Sequence, residues 1–87
     1  MEMVEMQRWE YRTAQLITVP VSLTKSKGWK LKEINGQEQP DWKKAEIYSS
    51  VTDFCNQMSQ QGWELASAAY PGYPLGEVVL YFKRLLQ

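Results

Sequence analysis

The side chains able to move protons, attack a bond or hold a metal are few in this 87-residue chain. It contains no histidine. That removes the residue most used as a general base and metal ligand, and with it the Ser-His and Cys-His nucleophile pairs. Its one cysteine, Cys55, is too little for a thiolate metal cluster. Cys55 is either a reactive thiol or a small buried hydrophobe, and its place on the apolar stripe of a helix favours the second. Two carboxylates each follow a tryptophan, Glu10 in "RWEY" and Glu64 in "QQGWEL". They would form an acid/base pair if their strands were neighbours; otherwise they are two solvated strand positions. The glycines are scattered, with no phosphate-cradling loop. No catalytic, cofactor-binding or metal residue is expected, and the chain reads as a non-enzyme.

Contact chemistry is better represented. Between residues 25 and 44, six lysines against three acids leave a net charge of +3 around Trp29 and Trp42. Cations interleaved with rings suit a nucleic-acid groove, and Lys30, Lys32, Lys43 and Lys44 are the candidate phosphate contacts. The segment has no arginine, and lysines also protect a hairpin edge from aggregation. A solvated hairpin is therefore the primary reading, a protein-contact surface the second and nucleic acid the third. The loop Tyr70-Pro71-Gly72-Tyr73-Pro74 offers a short aromatic surface. Trp29, Trp42, Tyr70, Tyr73 and Tyr81 are the candidate partner-binding residues, since Trp and Tyr give large contact area at low entropy cost.

The elements that must hold these residues follow from periodicity. Residues 8–19 alternate and are rich in aromatic and β-branched types, which predicts a first strand ending before Pro20. Residues 29–34 alternate again and run into Asn35-Gly36, a strong hairpin signal because both residues tolerate positive φ. The return arm, 37–44, is broken by Pro40 and Asp41 and reads as an edge strand or loop. Val51, Phe54, Cys55 and Met58 fall on one stripe, predicting a helix over 49–61. Ser50 is its N-cap, with Asp53 completing a capping-box-like pair, and Gly62 is its stop. Strands follow at 63–70 and 77–84, separated by turn residues.

The order β, hairpin, α, β, β predicts an α+β domain: one helix on a four- to five-stranded antiparallel sheet. The helix stripe should meet Leu65, Leu80 and Phe82, with Trp9 and Trp63 in the core. On the opposite face the last two strands would show Ala66, Ala68, Tyr70, Val79 and Tyr81, which is too apolar for water alone. The cover would be the hairpin, the Met-rich N-terminus (Met1, Met3, Met6) or a second copy of the chain, a two-fold dimer being the commonest oligomer.

Length and composition agree with one domain over 1–87, with a flexible stretch over 1–7. Hydrophobic residues are 44%, charged 23% and aromatic 13%. The formal charge is zero, so the whole-molecule field points to neither nucleic acid nor anionic membrane. One cysteine suits a reducing compartment. The acidic N-terminal stretch has no apolar run, so neither a signal peptide nor a membrane span is expected, and the cytoplasm is the default location.

"RWEY" opening a strand, a short helix, "QQGWEL" opening the next strand and "LYFKR" near the end resemble the small bacterial domain-of-unknown-function family 4177. Its pattern is W-E-Y, a helix, G-W-E-L and F-K-R. The resemblance covers 8–19 and about 48–84, and treats 20–47 as an inserted hairpin. Ala66-Ser67-Ala68-Ala69 departs from the larger aliphatic residues of that pattern. The resemblance implies a fold and no catalytic residues. The resulting expectation is a protein-interaction or assembly module that pairs with itself or another protein. The alternatives are a nucleic-acid accessory protein, or a dimer sequestering a small ligand.

Overall fold

A computed structural model describes residues 6–20, 27–70 and 76–86. Five strands form one antiparallel sheet: β1 (Trp9–Pro20), β2 (Lys27–Ile34), β3 (Gln37–Glu38), β4 (Glu64–Ala69) and β5 (Glu77–Leu85). One helix, α1 (Val51–Gln60), packs on it, and a single 3-10 turn spans Trp42–Lys44. The sheet order is β3-β2-β1-β5-β4. The fold is the expected α+β architecture, and the predicted inserted hairpin is part of the sheet itself.

The local chemistry explains the boundaries. β2 turns at Asn35-Gly36, where φ is 53° and 79°, and the Asn35 side chain accepts from the Thr13 N–H at 2.9 Å. The Ser50 hydroxyl caps α1 by accepting from the Asp53 N–H at 3.0 Å. The Asp53 carboxylate takes the Ser49 hydroxyl instead of closing a reciprocal box with Ser50. Gly62 has φ 87°, the left-handed residue that ends a helix. The Trp63 N–H then donates back to the Met58 carbonyl at 3.1 Å.

Alternation divides the sheet into two faces. The helix-bearing face holds Ala14 and Leu16 from β1 with Val78, Leu80 and Phe82 from β5, closed over by Phe54 and Met58 of α1 and by Trp63. Phe54 lies between Tyr48 and Phe82, with ring centroids 5.0 and 6.0 Å away. Each such buried side chain contributes about 1.5–3 kcal/mol.

Three packing expectations are corrected. Trp9 is not in the core: it is half-buried on the opposite face, because it shares parity with Thr13 and Gln15 rather than Ala14. Leu65 is not covered by α1 and remains 43% exposed. Ala66 and Ala68 do not share the back face with Tyr81. A register shift between Leu65 and Ser67 leaves Ala66 without a partner on β5, and places Ala68 opposite Leu80 on the helix-bearing face.

Candidate functional site

The acid/base pair does not assemble. β5 separates the strands that carry Glu10 and Glu64. Glu10 lies opposite Arg84, and Glu64 opposite Lys83. Arg84 and Lys83 are consecutive on β5, so the two carboxylates fall on opposite faces. Glu10 instead accepts from the Arg84 guanidinium in an ion pair. The same guanidinium lies 4.2 Å from the Trp63 ring centroid, and that of Arg12 lies 4.5 Å from it. These cation–π contacts are worth about 0.5–1 kcal/mol each at partly exposed sites. They clamp the second tryptophan of the repeated motif to the sheet. Cys55 is half-buried against the core, and burial pushes its thiol up, away from the thiolate that nucleophilic chemistry needs. Among the described residues no three His, Cys, Asp or Glu side chains gather closely enough to hold a metal.

The Lys/Trp segment is divided by the fold. Trp29 lies opposite Thr18 on β1 and packs, partly buried, against the core. Its N–H and C=O are both bonded to Tyr48, each at 2.8 Å. Trp42 sits in the 3-10 turn beside β2, with its indole N–H donating to Glu38 Oε1 at 3.1 Å. The ammonium groups of Lys32 and Lys43 lie 5.6 and 5.9 Å from the Trp42 ring centroid. Lys30 donates to the Lys43 carbonyl, and Lys44 is exposed. The structure therefore brings Trp42 together with Lys30, Lys32 and Lys43 beside a shallow hollow of about 400 Å³ lined by residues 38–44. It sends Trp29 elsewhere.

On the far side of the sheet lies a different surface. All six residues of β4 are exposed. Tyr81, opposite Ser67, is 43% exposed, and Tyr70, just past β4, is 67% exposed. Tyr73 lies outside the described residues. The back face also carries Tyr11, 70% exposed, beside half-buried Trp9 with the Lys83 ammonium 4.6 Å from its ring centroid. Tyr11 was not singled out from sequence, although period-two alternation from Trp9 places both on one face.

β4 and Tyr81 are the candidate contact surface, because among the described residues no element covers them. α1 packs over β1 and β5, and β2 extends the sheet in its own plane instead of folding across the back. No described helix is long and apolar enough to cross a membrane. Comparison with known families, with curated proteins and with solved structures finds no match for this chain.

Proposed function

We propose that this chain is a small non-enzymatic protein-interaction module that associates with itself, acting in the cytoplasm. The observation that carries this reading is β4: a strand of six residues, every one exposed, at the end of a well-packed sheet. Uncovered strands are hazards that chains usually blunt with Lys, Pro or a very short edge. β4, with the sequence ELASAA, has neither Lys nor Pro and runs for six residues, its one irregularity lying between Leu65 and Ser67. The neighbouring exposed Tyr81 and Tyr70 add the aromatic area common in contacts. The resemblance to domain-of-unknown-function family 4177 fits the same reading, since it implies a fold without a catalytic set.

The test is native mass spectrometry with sedimentation velocity on the purified chain over a micromolar concentration series. The expected result is a dimer that grows with concentration. A monomer throughout overturns self-association. A small molecule retained through purification would favour a ligand-sequestering dimer.

The Lys/Trp turn is the weaker candidate surface. Its Trp42 indole N–H is already bonded to Glu38, and two of its ammonium groups flank the ring on which a base would have to stack.

A further inference from the structure

The β1–β2 ladder does not stop at its last strand pair, Ala14 with Ile34. It continues for one more rung, in which the Asn35 N–H donates to the Thr13 carbonyl at 2.9 Å and the Thr13 N–H donates to Asn35 Oδ1 at 2.9 Å. In an ordinary antiparallel rung the second acceptor would be a main-chain carbonyl. Here the left-handed turn carries that carbonyl away, and the carboxamide of Asn35 takes its place. The residue that follows is Gly36, also left-handed, exposed, and with nothing within 4 Å of the position a Cβ would take. Among the described residues the Gly36 N–H donates to no backbone carbonyl.

This pairs an amide electrophile with an unhindered nitrogen one residue on. We propose that Asn35 is a site of spontaneous deamidation, gated by opening of the turn that holds its side chain on Thr13. The Gly36 amide nitrogen gives its proton to hydroxide and attacks Asn35 Cγ. A Cγ–N bond forms, the Cγ–Nδ2 bond breaks, and the carboxamide nitrogen leaves as ammonia with a proton from water. Water then opens the cyclic imide at one of its two carbonyls, giving aspartate or isoaspartate. Water is the sole co-reactant, and nothing is oxidised or reduced.

The fold sets the rate from both sides. Glycine at the attacking position puts no side chain in the way of ring closure. Against this, the carboxamide is directed across to β1, so attack on it requires the Asn35–Thr13 rung to break first. That opening is local, at the end of a ladder, and costs less than global unfolding. The other asparagine, Asn56, is the internal control. It lies within α1, where the N–H of the next residue, Gln57, is tied into the helix ladder and carries a side chain.

The products act on β3. Aspartate keeps an acceptor for the Thr13 N–H but adds a negative charge close in sequence to Glu33 and Glu38, which already face each other across β2 and β3, a destabilising pairing. Isoaspartate adds a carbon to the main chain inside a two-residue turn, whose length fixes the register of Ile34 with Gln37. Either product loosens the short strand whose Glu38 holds the Trp42 indole N–H.

The test holds the full chain at mildly alkaline pH in native buffer and in concentrated urea. Intact mass and peptide mapping with electron-transfer fragmentation follow the replacement of amide by acid and separate aspartate from isoaspartate. The expected result is conversion at Asn35 ahead of Asn56 in both solvents, and about tenfold or more slower in the folded chain, where the turn must open. Asn35→Gln, whose longer side chain has to close a larger ring, should remove that conversion in both solvents. Equal rates at Asn35 in buffer and urea overturn gating by the turn. Conversion at Asn35 in urea with none in the folded chain over the same period, or conversion of Asn56 first, overturns the site.

Discussion

Phe54 ties the helix to the sheet and to the segment that leads into it. It is 2% exposed, stacked between Tyr48 from the connecting segment and Phe82 from the sheet. Phe54→Ala removes both contacts and leaves a cavity under a helix of ten residues. The expected cost is about 3–5 kcal/mol, a large share of the stability of so small a domain. Loss of the cooperative urea transition, or a midpoint shift of that size, would be the reading. A second residue-scale effect concerns pH. Burial raises the Cys55 thiol, and burial followed by the nearby Glu46 carboxylate raises the Tyr48 phenol. Both groups are neutral when protonated, and folding favours that neutral form. Their contribution is fully present below the unfolded thiol value of about 8.5, and it is lost as pH rises through the folded values. Urea midpoints should therefore fall between neutral pH and pH above about 9, and Cys55→Ala should flatten the earlier part of that fall.

At the scale of elements, the turns were more legible in the sequence than the faces. Asn35-Gly36, Ser50 and Gly62 mark their boundaries by chemistry that acts within a few residues, so they can be read without knowing the fold. Which face of β1 meets the helix cannot be read that way. Its back face carries Trp9, Tyr11, Ile17 and Val19, more apolar and aromatic side chains than the buried Ala14 and Leu16 of the other face. Counting apolar residues alone therefore points to the wrong side, and it places Trp9 in the core when its parity puts it on the back face. The break at Ala66 was hidden for a related reason. A bulge exists only relative to its partner strand, and one extra residue reverses the face of all that follow. The Lys/Trp segment likewise looked like one cluster until Trp29 paired with Tyr48. Turn chemistry also yields a graded prediction. At Gly76, φ is +64° and an added Cβ would lie 2.1 Å from Thr18 Oγ1, whereas at Gly62, φ is +87° and the closest atom is Arg84 Cδ at 3.4 Å. Gly62→Ala meets only the left-handed backbone penalty, about 1–2 kcal/mol. Gly76→Ala adds a clash with a β-branched neighbour, and should lower the thermal midpoint more than Gly62→Ala does. Equal midpoints would mean that Thr18 moves aside freely.

For the molecule as a whole, the two candidate surfaces respond to salt in opposite ways. The Lys/Trp turn offers ammonium groups to an anionic partner, so binding there releases counterions and weakens steeply with ionic strength. The β4 edge offers backbone hydrogen bonds and small apolar side chains, with one acidic residue, Glu64, in register with Lys83 at the strand's start. The chain's formal charge is zero, so two copies approach without net repulsion that salt could relieve. Raising sodium chloride from low to high concentration should therefore change the dimer dissociation constant by less than about threefold, and sulfate, which favours apolar burial, should tighten it. Changing Lys30 and Lys32 to Glu should leave the dimer intact, because both residues belong to β2, separated from β4 by two strands. A dimer that dissolves steeply in sodium chloride and is lost with those two lysines would move the interface to the Lys/Trp turn. The exposed β4 edge would then lose its claim as the contact surface.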